Sequence, residues 1–182
     1  ESKALLPKVS IIITCFNYAR YLEAAIKSVM AQTYENIECV IIDDCSSDGS
    51  YDLACAMLTT QKRLNFRVLR LGRNSGQMVA FRAGLENTDG RFVVFLDADD
   101  LLSPSFVETH VAVNLNCFRS AAMTGSDTIT IDDQDRALEG TYFTFGILPH
   151  HEAPLSDIDP DDIPTIREGA LHYGEKHDLK AK

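Results

Sequence analysis

Three carboxylates follow an apolar run in the segment FLDADD, which occupies residues 95–100. Alternate side chains of an extended chain point to the same side, so Asp97 and Asp99 would lie together while Ala98 faces away. Two carboxylates at such a short distance repel each other, and a divalent cation bound between them removes this repulsion. Such oxygen ligands suit Mg²⁺ or Mn²⁺, which bind through one or two carboxylates together with phosphate oxygens. The alternative is a solvated acidic turn in which Asp100 caps the next helix.

A second acidic pair, Asp43 and Asp44, ends another apolar run and precedes residues 45–50, which are rich in helix-capping types. A carboxylate there can accept a hydrogen bond from an imide N–H or from a ribose hydroxyl. The competing interpretation is that this segment only caps the following helix. Phe16 stands just after the first apolar run, where its ring is either a platform for a base or an ordinary core residue.

The elements that must position these residues alternate along the chain. Runs typical of buried strands occupy residues 9–14, 37–42 and 91–96, and a partly alternating run occupies 66–71. Helical spacing or helix-capping residues mark segments 18–32, 53–58, 74–86 and 103–116, and segment 121–131 is expected to contain a strand pair or an extended stretch. This order predicts an α/β fold, a Rossmann-like, mostly parallel sheet flanked by helices on both faces.

The predicted sheet brings the chemical candidates together. Ligands of open parallel sheets bind beyond the carboxyl ends of the strands. Such ends are predicted at residues 14–17, 43–44, 73–76 and 97–100. We therefore expect residues from distant parts of the chain to meet at one edge of the sheet.

Composition excludes some classes of partner. The chain carries 27 acidic and 17 basic residues, a formal net charge of -10, so it offers no basic stripe for a nucleic acid. A phosphate ligand is excluded less strongly, because a bound divalent cation reverses the local sign. No apolar run reaches the roughly 18 residues needed to cross a bilayer. The five cysteines include no CxxC pair, which favours a reducing compartment, and we expect the cytoplasm.

The character of the chain changes near residue 150, where acidic residues gather in 157–162 and long apolar runs end. We expect one domain over residues 1–149 and a C-terminal arm over 150–182. Because the chain begins with Glu1 and not with Met, one interpretation is that it is a piece of a longer protein, with the arm as part of a truncated region.

Taken together, the motifs resemble the opening of family 2 glycosyltransferases, which have the GT-A fold. That family shows a Thr-x-Tyr/Phe-Asn turn, a Ser-x-x-x-Gln-Thr stretch, an Asp-Asp-x-Ser-x-Asp-Gly segment, an Asn-x-Gly loop and an acidic motif after a strand. In this chain they stand at residues 14–17, 28–33, 43–49, 74–76 and 95–100. The resemblance covers roughly residues 7–135, in the family's order and spacing.

The resemblance implies metal-dependent, inverting transfer of a sugar from a nucleoside-diphosphate sugar, expected to be a UDP-sugar, to a hydroxyl of a glycan, lipid-linked or protein acceptor. Phe16 would stack on the base, Asp44 would bind it, and Asp99 would ligate Mn²⁺ or Mg²⁺. The implied donor-binding residues are Thr14, Phe16, Asp43, Asp44, Arg73, Gly76, Arg82 and Asp97. Location at the inner membrane surface, by peripheral association, is left open beside the cytoplasm.

The chain departs from the family pattern in two places. Many members carry Arg-Asn in the helix after the Asn-x-Gly loop, whereas this chain has Phe81-Arg82, and a shift of one residue turns a helical side chain by about 100°. The family's catalytic base lies in a later, acceptor-binding half, for which residues 150–182 contain no convincing match. The carboxylates there that are chemically able to act as a base are Asp161, Asp162, Glu168 and Glu175, and none is assigned.

The chain is therefore expected to hold mainly the donor-binding part of such an enzyme. A domain that kept the fold and donor binding but lost transfer is one alternative. Another is a receiver-like signalling domain that binds Mg²⁺, although its acid pair would follow the first strand, whereas here the pair follows the second.

Overall fold

The computed structural model describes residues 6–59, 65–116 and 123–140, apart from 127, 133 and 135. The chain divides into two compact units, Glu1–Val111 and Ala112–Lys182. The elements up to the division are β1 Val9–Cys15, α1 Ala19–Met30, β2 Ile37–Asp43, α2 Ser50–Thr59, β3 Asn65–Arg70, α3 Gln77–Glu86, β4 Phe92–Asp97 and α4 Phe106–Asn116, which crosses it. Within the second unit, β5 Ile129–Ile131 pairs antiparallel with β6 Ala137–Gly140.

The first unit is built on a parallel sheet of four strands in the order β3-β2-β1-β4. Strand β1 lies between β2 and β4, and the register pairs Cys15 with Asp43 and Thr14 with Asp97. The three chain segments that carry the predicted site residues therefore end side by side. The predicted α/β class with a parallel sheet is confirmed.

Two apolar layers cover the sheet, and β1 contributes to both. Ile11 and Ile13 pack with α1, α2 and α4 in the larger cluster, which contains Leu22 and Val107. Ile12 faces the other side, where it packs with residues of α3. Because both faces of β1 and β2 are buried, their sequences show no alternation of apolar and polar residues. The prediction of helices on both faces is also confirmed.

Strand β4 differs from the prediction that it is buried on both faces. Val93 and Phe95 are 38% and 49% exposed. Among the described residues β4 pairs only with β1, so it lies at an edge of the sheet, where α3 covers its face incompletely. Phe81 of α3 contacts Phe95, with ring centroids 4.6 Å apart.

The predicted loop at residues 74–76 is present, and helix α3 begins directly after it at Gln77, since Gly76 has a φ of 87°, a left-handed conformation that a helix cannot contain. Helix α4 begins at Phe106 and not, as predicted, at Ser103. Ser103 belongs to a turn before the helix, and its carbonyl accepts a hydrogen bond from the Phe106 amide at 3.0 Å.

A buried carboxylate, that of Glu38, lies near the amino-terminal end of β2, at the opposite end of the strands from the predicted site. The Glu38 carboxylate accepts hydrogen bonds from the Ser10 hydroxyl at 2.7 Å and the Asp89 amide at 2.9 Å, and it pairs with Lys8 and Arg67. Burial by itself would raise the pKa of Glu38, but these hydrogen bonds and Lys8 outweigh it and lower the pKa to about 2. The amino-terminal edge is therefore a structural network with its charges satisfied.

Helix α3 lies close to the sheet because it presents Gly84 to Ile12. A Cβ atom at Gly84 would lie 2.3 Å from the Ile12 Cγ2 atom, far inside van der Waals contact. The glycine thus sets the distance between α3 and β1, and with it the position of the loop that precedes α3.

We expect Gly84→Ala to lower the free energy of unfolding by about 1–3 kcal/mol, because the methyl group overpacks the interface with Ile12. In an open helix the same change would raise stability by about 1 kcal/mol, so the sign is diagnostic. Thermal and urea unfolding would measure it. Gly72→Ala is the matched control, since nothing lies within 4 Å of a Cβ atom there. Equal stability of the two variants would contradict this account of the packing.

Candidate functional site

A cleft of about 330 Å³ opens where β1 and β4 end and where the chain leaves β2. Its walls come from the ends of these strands, the turn after β1, and the loop and first turn of α3. The lining residues are Thr14, Cys15, Phe16, Tyr18, Asp44, Asn74, Gly76, Gln77, Ala80, Asp97, Ala98 and Asp99. The cleft thus lies at the edge of the sheet where the sequence predicted a ligand.

Most of the predicted site residues meet in this cleft. Those that line it are Thr14, Phe16, Asp44, Gly76, Asp97 and Asp99. Asp43, Arg73 and Arg82 do not line it. The structure therefore brings together both acidic motifs and the aromatic residue after β1, which are far apart in sequence.

Asp44 anchors the loop that precedes α3. Its side chain is buried, and its two carboxylate oxygens accept hydrogen bonds from the Ser75 amide at 2.8 Å and the Gly76 amide at 2.7 Å. Its own amide donates to the Cys15 carbonyl at 2.8 Å, which continues the strand pairing by one residue. A carboxylate has about four acceptor positions, so Asp44 can still accept a further hydrogen bond from a ligand in the cleft.

Asp43 does not line the cleft. One oxygen accepts a hydrogen bond from the Ser46 amide at 3.2 Å and pairs with the Arg70 guanidinium at 3.2 Å. Its other oxygen is buried without a partner among the described residues. Direct contact between Asp43 and a nucleotide stays a prediction, while its observed contacts support the turn after β2.

The turns after β1 and β2 are tied to each other by hydrogen bonds that involve side chains. The Asn17 amide donates to the Ser46 hydroxyl at 2.9 Å, and the Asn17 side-chain oxygen accepts from the Ser47 amide at 2.8 Å. Asn17 and Cys45 both have left-handed backbones, with φ of 58° and 64°. Such conformations persist only where the surroundings hold them, and they concentrate at functional sites. The turns are therefore built to a fixed shape.

This construction exposes two aromatic rings at the cleft. Phe16 is 40% exposed and Tyr18 is 42% exposed, and both line the cleft. Phe16 is therefore not a core residue, which removes one of the two interpretations of its sequence position. A half-exposed ring beside polar groups is suited to stack on a planar ligand.

The carboxylates after β4 have unequal surroundings. Asp97 accepts a hydrogen bond from the Gln77 side-chain amide and a longer one, at 3.5 Å, from the Thr14 hydroxyl. Asp99 is exposed and makes no hydrogen bond or ion pair with the described residues. Burial and the nearby charges of Asp99 and Asp97 raise the pKa of Asp100. Asp100 does not cap α4, which begins at Phe106.

The two predicted arginines lie outside the cleft. The Arg82 side chain is 80% exposed and pairs with Glu86 one turn further along α3, at 2.9 Å. Arg73 is exposed in the loop before α3. Their predicted contacts with a diphosphate or sugar stay predictions.

Sequence reasoning missed three lining side chains, Tyr18, Gln77 and Ala80, and it passed over the side chain of Asn74. Ala98, which was expected to face away, also lines the cleft. Asn74 belongs to the Asn-x-Gly motif, which was a usable signal, and its side-chain oxygen accepts a hydrogen bond from Gly76. Tyr18 and Gln77 adjoin the two recognised turns, but neither shows a spacing that indicates a site.

Comparison with known proteins settles the family. Residues 10–143 match the sequence profile of glycosyl transferase family 2. The chain belongs to this family. Family membership excludes the receiver-like alternative, and it confirms the resemblance found in the motifs.

Curated relatives and solved structures agree with this assignment. The chain is 43% identical over 107 residues to an uncharacterised glycosyltransferase of Nostoc sp. (strain PCC 7120), covering 58% of this chain and 32% of that protein. It is 39% identical over 94 residues to the putative teichuronic acid biosynthesis glycosyltransferase TuaG of Bacillus subtilis, covering 52% and 36%. The chain thus spans about a third of the length of these relatives.

Two solved structures share the fold. TarS 1-349 of S. aureus in complex with UDP-GlcNAc has a TM-score of 0.54 at 22% identity, with 68% of this chain and 40% of that chain covered. The mannosyltransferase PcManGT of Pyrobaculum calidifontis, in complex with GDP-Man and Mn²⁺, has a TM-score of 0.57 at 23% identity, with 72% of this chain and 38% of that chain covered.

Among the described helices, none combines the length and the apolar composition that a membrane-spanning segment requires.

We expect Asp44→Asn to loosen the loop before α3, because an amide group has only one acceptor oxygen for the two backbone N–H groups. An unpaired donor costs about 1–3 kcal/mol, so amide hydrogen exchange at Ser75 and Gly76 should accelerate. NMR exchange rates would measure this. Asp52→Asn, an exposed site in α2, is the control. Unchanged protection at Ser75 and Gly76 would show that Asp44 does not hold the loop.

Proposed function

We propose that this chain forms the donor-binding part of a metal-dependent, inverting glycosyltransferase that uses a UDP-sugar and an acceptor hydroxyl of a glycan, lipid-linked or protein substrate. The observation that carries the proposal is the shared cleft of Asp44, Asp97 and Asp99. These residues leave two different strands of one sheet, and they face a single volume large enough for a ligand.

The residues of the cleft fit a divalent cation held together with a diphosphate. Every charged residue that lines it is acidic, so a bare diphosphate would be repelled unless a cation reversed the local sign. Mg²⁺ and Mn²⁺ take most of their ligands from phosphate and water, so one carboxylate, that of Asp99, would serve as the protein ligand.

Each side chain would act on a different part of the donor. Phe16 would stack on the base, and Asp44 would accept a hydrogen bond from its imide N–H. Asp97 would accept from a hydroxyl of the ribose or the sugar. The cation, when bound, would neutralise charge on the departing diphosphate. A carboxylate base is still required to take the proton from the acceptor hydroxyl, and none of the described residues is assigned to this role.

The comparisons support the donor class. The two solved structures are complexes, one with UDP-GlcNAc and the other with GDP-Man and Mn²⁺, and UDP-GlcNAc and GDP-Man are both nucleoside-diphosphate sugars. A thermal-shift screen of UDP-, GDP- and TDP-sugars, with and without Mn²⁺, would test the proposal, because a ligand that binds the folded state raises the melting temperature. Stabilisation by UDP-sugars only with Mn²⁺ is expected, and no stabilisation by any donor would overturn the proposal. Binding without transfer to any acceptor would favour the binding-only alternative for this chain.

Asp99→Asn should weaken UDP binding by more than about tenfold in the presence of Mn²⁺, because it removes the proposed protein ligand of the cation. With EDTA, wild type and variant should bind equally weakly. Isothermal calorimetry would measure both conditions, with Asp52→Asn as the charge-matched control. Unchanged affinity of the Asp99 variant would refute its metal role.

Phe16→Ala should weaken UDP binding by about 1–3 kcal/mol, which is the usual value of a base stacked on an aromatic ring. The melting temperature should change little, because the ring is half exposed. Tyr21→Ala removes a ring of similar exposure that does not line the cleft, and it should leave the affinity unchanged. Equal effects of the two substitutions would argue against stacking at Phe16.

A further inference from the structure

Gln77 is the first residue of α3, and its side chain reaches the end of β4. It lines the cleft, where its amide nitrogen donates a hydrogen bond to the Oδ1 atom of Asp97. It directly follows the Asn-x-Gly motif at residues 74–76, so the motif itself does not predict a role for it. The contact joins the loop that Asp44 anchors to the acidic motif on the other side of the cleft.

The contact makes the two carboxylates of the Asp-Ala-Asp segment different from each other. The Oδ1 atom of Asp97 accepts from both Gln77 and Thr14, whereas its Oδ2 atom accepts no hydrogen bond from the described residues. Asp99 has no hydrogen-bond partner among those residues. A carboxylate whose one oxygen is held by neutral donors keeps a fixed orientation, and it presents its other oxygen in a single direction.

A fixed orientation matters here because the cleft lacks a basic side chain that could separate the acidic groups. If Asp97 turned freely, both carboxylates could converge on one cation, since divalent cations draw like-charged oxygens together. A neutral donor that holds Asp97 prevents this without adding charge to the site.

We propose that Gln77 is a positioning residue, which holds Asp97 toward the donor and apart from Asp99, so that only Asp99 serves the cation. This inference rests on the proposed function for the identity of the donor. The contact between Gln77 and Asp97 is independent of it, so each can fail separately.

A double-mutant cycle tests whether Gln77 acts through Asp97. Gln77→Met keeps the length of the side chain and removes its hydrogen bond. With Asp97 present, this change should weaken binding of a UDP-sugar with Mn²⁺ by about fivefold to tenfold, whereas in the Asp97→Ala background, which lacks the acceptor oxygen, it should change affinity by less than about twofold. Calorimetry would give all four affinities. When the wild-type chain binds the UDP-sugar, an equal loss in both backgrounds, or no loss in either, would overturn the proposal.

A second test needs no nucleotide. Gln77→Glu places a carboxylate beside Asp97, and this pair should bind Mn²⁺ alone about tenfold more tightly than wild type does. Met78→Glu adds the same charge one residue along α3, at a side chain that is 76% exposed and does not line the cleft. It should leave Mn²⁺ affinity nearly unchanged. Free Mn²⁺, followed by electron paramagnetic resonance, would measure both variants.

The outcomes separate the two proposals. Equal Mn²⁺ affinities of the Gln77→Glu and Met78→Glu variants would show that position 77 has no special relation to Asp97, which would overturn the inference. A wild-type chain that binds no UDP-sugar would overturn the proposed function. In that case a difference between the two glutamate variants would still support the contact. Melting temperatures of all variants would verify that each one is folded.

Discussion

The parallel pairing of β1 with both of its neighbours is the constraint on which the site depends. It places Thr14 opposite Asp97 and Cys15 opposite Asp43, so three strand ends are held side by side by backbone hydrogen bonds. Both faces of β1 are buried under helices, which prevents the strand from slipping by a residue, since a slip would exchange the faces of all its side chains. The cleft therefore has its location fixed by the most buried part of the molecule.

Side chains that project from the strand ends then give the cleft its shape. Asp44 holds the loop before α3, and Asn17 joins the turn after β1 to the turn after β2. These contacts are made between short turns, and they are polar, whereas the contacts beneath them are apolar. The packed sheet therefore determines where the strand ends lie, and the polar contacts between the turns determine how the side chains at those ends are oriented.

Features that depend on local pattern were predictable from the sequence, and features that depend on a neighbour were not. The runs around Ile12 and Val40 indicated strands buried on both faces, and the acidic motifs that follow β2 and β4 indicated the cleft. The exposure of Phe95 was not predictable, because it depends on which strand lies at the edge of the sheet. The hydrogen bond from Gln77 to Asp97 was not predictable either, since it joins residues on two elements, α3 and β4, that contact each other only in the folded chain.

Asp44 has two roles in this structure, and this limits which substitutions the cleft can accept during evolution. The same carboxylate secures a backbone loop and faces the ligand volume, so a replacement that suited a new ligand would also release Ser75 and Gly76. Selection for a different ligand would therefore be restricted at this position. Phe16 and Tyr18 face the same volume with rings that hold no loop in place, so drift in ligand preference should accumulate there first.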